Sequence, residues 1–505
     1  MRFAGQSEYF HDASLAVIDE DGTVVYAGHA ERYSGSKLDP LIHEDQYLNL
    51  RDDDHMTWYE DFDLRWEKAG GLRTMGGTAY THNQHNKKYM PKSIACDARN
   101  LHHESHCSLA FYTRPWESVD DTVCVSVDGS GEMNCTAIMD TDMNVIKENL
   151  FPHSLGSFYG WTTKCLGYRA LRDEYIVMGL ASYGETIPHL LDMMNEEYEW
   201  FYSPPAQEMY ENFHKGMYPN ITDSPMSTHY SDYEIAFRRE VKQLIASGTS
   251  EADVAATTQE FFEYQVLKLM KEARKYGSKL VYGGGCAQNV TANSKIRDLF
   301  DDMHVAIAPG DSGSALGAAA RSWHKHTGKT QLKWSPYLGY NIDREVNPKE
   351  IAIYLTENKV CGIANGKAEY GPRALGNRSL IADVRYDVKD TVNDIKRRQR
   401  FRPFAPAILS EYADDYFEGH MNEYMQFTAV AKHDYSSVTH VDGTARVQVV
   451  KPECTSILRK VLEEYYELTG IPMLLNTSLN IKNRPMVNSE GHAREWEKRY
   501  GVKIW

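Results

Sequence analysis

The strongest constraint on the fold lies in residues 279–323, which read in order KLVYGGG, NSKIRDLF, HVAIAPGDSG and SALGAAARSW. Short apolar runs that close on glycine alternate here with helix-forming stretches, the β, α, β, α order of an α/β sheet. Ligands of such sheets bind at the strand ends. The turns GGGC at 283–286 and GDSGSALG at 310–317 are therefore candidate phosphate contacts, with Gly284 and Gly313 offering bare backbone N–H groups and a helix N-terminus. Neither is a P-loop, because no GK[ST] follows. Upstream, Val254, Phe261, Phe262, Val266, Leu269, Met270 and Ala273 recur at helix spacing. This predicts a buried helix with Ser250 and Asp253 as a capping box and Gly277 as its stop.

Residues 13–28 form two β-prone runs around Asp-Glu-Asp-Gly, and a second such pattern covers 122–148. Two hairpins of this kind predict duplicated lobes of a mixed sheet. The connection KWSPYLGYN at 333–341 precedes a fresh α/β pattern near Ile351, which sets the expected division into residues 1–340 and 341–505.

A formal charge of −16 argues against general affinity for nucleic acid or an anionic membrane. The eight cysteines are dispersed without a CxxC pair, the N-terminus lacks a signal-peptide core, and no apolar run is long enough to span a bilayer. These features predict a cytoplasmic protein, with no membrane partner. One segment departs from the balance. Residues 65–92 carry Arg65, Lys68, Arg73, Lys87, Lys88 and Lys92 against Glu67, a net of +5, interleaved with Trp66, Tyr80 and Tyr89. It reads either as a solvated insertion or as a stacking and phosphate-contacting surface.

His102 and His106, in LHHESHCSLA, are spaced so that a helix presents both imidazoles to one metal. Asp128 follows the apolar run VCVSV and Asp311 follows VAIAP, both at expected strand exits where carboxylates complete metal or phosphate sites; a turn-capping role is the alternative. His11, at the head of the first hairpin, is a candidate base toward an acceptor hydroxyl. In the last third come GPRALGNRS, DIKRRQRFRPFAP, THVDGTARVQ and LLNTSLN. Pro372, Pro403 and Pro406 stiffen the backbone beside the cations, as the presentation of several donors to a phosphate requires.

Those four blocks resemble the signature blocks of the O-carbamoyltransferase family that includes the nodulation carbamoyltransferases and the enzyme that carbamoylates tobramycin. HDAS, HHxxH, DGSGE, VMGLASYG, GGGCAQN and PGDSGSALGAA match the same family in the same order. The resemblance implies an α/β protein of two domains. The first is two-lobed and similar to the threonylcarbamoyl transferase fold of the actin and sugar-kinase superfamily; the second is a YrdC-like twisted α/β domain. It implies an ATP-dependent enzyme that joins carbamoyl phosphate to ATP, with Mg2+, giving carbamoyl adenylate and pyrophosphate, and then passes the carbamoyl group to a hydroxyl. By the same resemblance, Arg373, Lys396, Arg402, Arg446, Asn476 and Ser478 hold the phosphates and the adenylate. His102, His106, Asp128 and Asp311 bind a divalent metal, iron by family analogy, and His11 is the base.

Two positions depart from the family: Ile176 stands where lysine is usual, and Leu479 where phenylalanine is usual, a change read as packing. The basic, aromatic segment points to 5-hydroxymethylcytosine in DNA as acceptor, which would place the protein in a host cytoplasm if it is viral. A natural-product or glycan hydroxyl is the alternative, and a homodimer is one option for assembly. A tRNA threonylcarbamoyl transferase leaves GPRALGNRS and THVDGTARVQ unused, and an actin-like nucleotide-binding regulator explains only the glycine-rich turns.

Overall fold

The computed structural model describes residues 1–61, 98–132, 134–214, 217 and 225–505. The segment 65–92 lies outside the described residues. Strands β1 (Arg2–Ser7), β2 (Ser14–Asp19), β3 (Val24–His29), β4 (Asp54–Trp58) and β5 (Ala98–Arg99) form a sheet in the order β3-β2-β1-β4-β5. The first three are antiparallel, and β4 and β5 run parallel to β1. A second sheet repeats this plan. Strands β6 (Thr122–Val127), β7 (Asn134–Met139), β8 (Val145–Leu150), β9 (Lys279–Gly283) and β10 (Asp302–Val305) stand in the order β8-β7-β6-β9-β10, with an antiparallel meander and then two parallel strands. The two predicted hairpins are thus the meanders of two lobes with one topology, the two-lobed fold of the actin and sugar-kinase type.

Side-chain alternation along β2 explains the layering. Ala16 and Ile18 join a core shared with Cys124, Ala137 and Val281 of the second sheet, whereas Leu15 and Val17 face a separate core on the outer side. Helices His102–Tyr112 and Asp311–Thr327 fill the layer between the sheets and contribute Leu109, Phe111, Leu316 and Trp323 to the shared core. Their close approach depends on Gly317, where a Cβ would lie 1.9 Å from the Ser105 carbonyl oxygen.

The predicted helix is Glu251–Ala273. Ser250 caps it by accepting the Ala252 N–H, while the Asp253 carboxylate takes the Glu185 N–H at 2.9 Å, so no capping box closes. Gly277 is bare for packing: a Cβ there would lie 2.9 Å from the Asp121 carbonyl oxygen and the Val123 nitrogen.

Strand β11 (Tyr337–Ile342) begins within the junction at 333–341. After it come β12 (Val360–Ala364), β13 (Gly366–Glu369), β14 (Arg378–Ala382), β15 (Ala405–Leu409), β16 (Phe417–Glu418), β17 (Ala429–Ala431), β18 (Thr444–Ala445), β19 (Gln448–Val450) and β20 (Met473–Ser478). β11 pairs with β13, and the large sheet has the order β12-β14-β20-β15-β19. Its two faces carry separate cores: Cys361, Ile363 and Leu474 on one, Val360, Ala364, Met473 and Leu475 on the other. This is the mixed, helix-covered α/β domain expected of the second part. Leu479 is fully buried in one of these cores, in accord with its reading as a packing residue. Ile176 is likewise buried. No described cysteine is disulfide-bonded, and among the described residues no helix is long and apolar enough to cross a membrane.

Candidate functional site

His102 and His106 stand one turn apart on the helix His102–Tyr112, which is buried all round except for part of Glu104. Glu132, the last residue of DGSGE, holds the start of this helix: its Oε1 accepts the N–H groups of His102 and Asp61, each at 2.9 Å. Asp128 leaves the end of β6, and Asp311 opens the helix Asp311–Thr327. The fold brings these four side chains together. His106 Nε2 lies 3.0 Å from His102 Nε2, 3.2 Å from Asp128 Oδ2 and 3.3 Å from Asp311 Oδ1. All four ligand atoms fall within 4.8 Å of one another.

Outer contacts fix the set. Ser314 Oγ is 3.3 Å from His106 Nδ1, Glu60 Oε2 is 3.6 Å from His102 Nδ1, and Asp128 accepts the N–H groups of Gly129 and Gly285 at 2.6 Å. Burial opposes every charge here, yet mutual attraction prevails. Asp128 is held well below the usual carboxylate range, Asp311 falls to about 2, and the His102 imidazolium is pushed up by the two carboxylates. Two imidazole nitrogens and two carboxylate oxygens, oriented from outside, fit a first-row divalent ion. His103 turns away, with Nδ1 2.7 Å from Ser126 Oγ and Nε2 2.8 Å from the Asn134 oxygen.

His11 borders this cluster, its Nε2 3.4 Å from Asp311 Oδ2 and its Nδ1 3.1 Å from Asp12 Oδ2. Burial alone would lower its pKa, but the two aspartates outweigh burial and lift it to about 9.

The second group is cationic. Lys396 is buried at the end of the helix Lys389–Lys396, where its Nζ donates to the Ser478 carbonyl, to Asn480 Oδ1 at 2.8 Å and to the Asn480 carbonyl at 3.1 Å. Arg402 lies over the Tyr175 ring at 4.5 Å, and Arg398 over Phe404 at 4.1 Å. Arg373 follows Pro372, and the Arg446 Nε is buried without a partner. None of these five cations forms an ion pair with a carboxylate among the described residues. Burial and the neighbouring guanidinium of Arg402 pull the pKa of Arg373 down to about 10. Burial together with Arg373, Arg398 and Arg402 pulls Arg446 well below its ordinary value. Asn476 donates to Gln448 Oε1 at 2.6 Å and leaves its own Oδ1 buried and unpaired, while Ser478 Oγ contacts Asn480 Oδ1 at 2.7 Å.

One cleft of about 530 Å³ takes in His11, Asp128 and Asp311 at one end and all five cations at the other, while His102 and His106 are not among its lining residues. Ten Lys and Arg side chains line it against seven Asp and Glu, in a chain of net charge −16. Gly285 and Gly310 border the cleft; Gly284 and Gly313 do not. The Gly284 N–H donates to the Pro309 carbonyl and that of Gly313 to the Gly310 carbonyl, each at 2.8 Å, and a Cβ at Gly313 would lie 1.8 Å from the Ala308 oxygen. Their bareness serves close packing.

The arginines of EYGPRALGNRS have different surroundings. Arg378 is fully buried, and its guanidinium donates to the carbonyls of Tyr340, Asn365, Gly366, Asn377 and Asn488. Main-chain carbonyls, and among the described residues no carboxylate, hold the Arg378 guanidinium. Sequence reasoning also passed over Arg398 within KRRQR, Tyr175 beneath Arg402 and the helix-holding Glu132. The dense arginine run signals Arg398 and the DGSGE block signals Glu132; neither signals Tyr175.

Comparison with known proteins shows the family. The family model for the carbamoyltransferase N-terminus matches residues 74–320, and that for the carbamoyltransferase C-terminus matches residues 352–504. The nodulation protein NolO of Bradyrhizobium diazoefficiens is 31% identical over 437 residues, covering 78% of this chain and 75% of that one. Nodulation protein U of Rhizobium tropici is 28% identical over 547 residues, covering 96% and 92%. Among solved structures, component A of the Acidaminococcus fermentans (R)-2-hydroxyglutaryl-CoA dehydratase aligns with 64% of this chain and 98% of its own at 11% identity and a TM-score of 0.36, too slight a likeness to bear on function. With matching family models over both halves and a relative of this identity and coverage, the chain belongs to the carbamoyltransferase family and is a carbamoyltransferase.

Proposed function

We propose that this carbamoyltransferase is an ATP-dependent O-carbamoyltransferase. It forms carbamoyl adenylate from carbamoyl phosphate and ATP, then transfers the carbamoyl group to an acceptor hydroxyl. Residues 341–505 form the adenylate and residues 1–340 perform the transfer. The observation that carries this reading is the group of five cations without a carboxylate partner. Buried like charges are unfavourable by themselves, and polyphosphate oxygens relieve that repulsion. Attack on the α-phosphate of ATP gathers charge on its oxygens, which Arg373, Lys396, Arg402 and Arg446, all lining the cleft, would stabilise with Asn476 and Ser478. Atom balance requires one water. Of the four phosphorus atoms brought in, one stays in the adenylate, two leave as pyrophosphate and one as orthophosphate.

At the other end, His102, His106, Asp128 and Asp311 would hold a divalent ion, iron by family analogy. Such an ion supplies Lewis-acid polarisation of the carbamoyl carbonyl. His11 is the candidate base for the acceptor hydroxyl. A base needs the neutral ring, and a cation held by Asp311 would offset the charge that favours the protonated one. The continuous cleft supports passage of the adenylate between the two ends away from bulk water.

For the acceptor we propose 5-hydroxymethylcytosine in DNA, supported by the charge and aromatic content of residues 65–92 and by the cationic lining of the cleft. The test of the activity is pyrophosphate release by the full chain given carbamoyl phosphate and ATP, with Arg373→Ala abolishing it. Release that survives in the variant removes Arg373 from the pocket. For the acceptor, hydroxymethylcytosine DNA, a glycan mixture and an aminoglycoside are incubated in parallel and examined by mass spectrometry for the gain of one carbamoyl group. Modification of another substrate with the DNA left unchanged overturns the DNA reading.

A further inference from the structure

The turn that carries Arg373 is built by the second part of the chain and held by the first. Gly371 has φ of +128°, a conformation that favours glycine, and a Cβ there would lie 2.5 Å from the carbonyl oxygen of Ile307, beyond β10. From the first lobe, Arg32 in the helix Ala30–Ser34 donates to the carbonyls of Glu369 and, at 2.7 Å, Gly371. His29, the last residue of β3, accepts the Gly371 N–H at 2.9 Å and stacks on the Tyr370 ring at 4.7 Å and 8°. The Tyr370 hydroxyl donates to the carbonyl of Ser312, next to Asp311, at 2.7 Å. On the far side of the turn, Glu369 Oε1 accepts the N–H groups of Leu375, Asn377 and Arg378.

This arrangement is unfavourable unless the position of the turn matters. Arg32 is 4% exposed, pairs with carbonyls and, among the described residues, with no carboxylate, and leaves its Nε unpaired. His29 is 5% exposed with its Nδ1 unpaired. Apolar side chains would join the two halves with none of these desolvation penalties. What the polar groups add is direction: they fix the peptide units at residues 369–371, two residues before a guanidinium that makes no contact of its own with a carboxylate.

We propose that His29 and Arg32 are positioning residues for Arg373, so that the transfer half completes the phosphate pocket of the adenylate half. The inference rests on the reading of Arg373 as a phosphate ligand. Its consequence is that adenylate formation depends on residues more than 330 positions away, in the part of the chain that handles the acceptor.

The test uses the full chain and carbamoyl phosphate-dependent exchange of labelled pyrophosphate into ATP. Arg32→Met is expected to lower kcat/KM for carbamoyl phosphate about 10- to 100-fold, chiefly through KM, with bound metal unchanged. In an Arg373→Lys background, which keeps a cation, Arg32→Met is expected to add little further loss, because both changes act through one side chain. Wild-type exchange in Arg32→Met, or losses that multiply in the double variant, overturns the clamp. Where Arg32→Met does not accumulate as folded protein, His29 decides. Loss in His29→Leu with recovery in His29→Gln, which restores an acceptor for the Gly371 N–H, supports the proposal; equal loss in both overturns it. Absence of exchange in the wild-type protein overturns the underlying reading instead.

Discussion

Two arginines five residues apart in EYGPRALGNRS should respond to mutation with opposite signatures. Arg378 makes six hydrogen bonds to five main-chain carbonyls, which join β11, the β12–β13 turn and the segment before the helix Glu490–Tyr500. Arg378→Met removes all six; the Asn377 carbonyl keeps the Asn365 N–H, and the other four lose a buried donor. At a net value of about 1 kcal/mol per bond, offset by the relieved burial of a charge, the expected loss is about 3–5 kcal/mol. Arg378→Lys has three donors at most, so at least two of the five carbonyls lose this donor and the loss is about 2 kcal/mol or more. With a slope of about 2 kcal/mol per molar urea, Arg378→Met lowers the midpoint of the first unfolding transition by about 1.5–2.5 M. Arg373→Ala removes a cation that Arg402 repels, so it should abolish pyrophosphate release without lowering that midpoint. Circular dichroism in urea and a pyrophosphate assay on the same preparations decide the matter. A shift below about 0.5 M for Arg378→Met, or a larger shift for Arg373→Ala than for Arg378→Met, refutes the division of roles.

Gly313→Ala forces a Cβ to within 1.8 Å of the Ala308 oxygen and displaces the first turn that carries Asp311, so bound metal and stability should fall together; metal analysis with thermal unfolding checks this. His106→Ala should lower bound metal and stop carbamoyl transfer while pyrophosphate release continues, and loss of both activities indicates misfolding. For pH, burial lowers the pKa of His153 and of His304 to about 3. The unfolded chain takes up these protons below its ordinary pKa near 6.5, whereas the folded protein does so only near 3, so stability falls as pH drops through that window. At pH 5.5 each costs about 1.4 kcal/mol, and His153→Leu should flatten the acid limb of the urea midpoint against pH.

Periodicity and local chemistry made much of this protein legible before any coordinates. The alternation at 279–323, the two hairpins and the helix from residue 251 follow from short-range preferences, and each formed where expected. The four-residue spacing of His102 and His106 places both on one helical face, and the strand exits at Asp128 and Asp311 lie where an α/β sheet presents ligands. The misassignments come from contacts distant in sequence. Asp253 suits a capping box, but the nearby Glu185 N–H claims its carboxylate. Gly277 suits a helix stop, but the backbone of residues 121–123 requires its missing Cβ.

The sequence by itself determined which stretches become strands, helices and glycine turns, and the order of the blocks that place the chain in its family, because those properties depend on neighbours a few residues away. It could not tell apart the surroundings of Arg373 and Arg378, since both sit in one motif with the same charge. Tertiary structure decided this. Five carbonyls from separate segments surround Arg378, while the turn at Gly371, gripped by His29 and Arg32, directs Arg373 to the cleft. Which buried donor meets which acceptor across more than 300 residues depends on how two sheets, their helices and a third sheet pack, and no local pattern encodes that geometry.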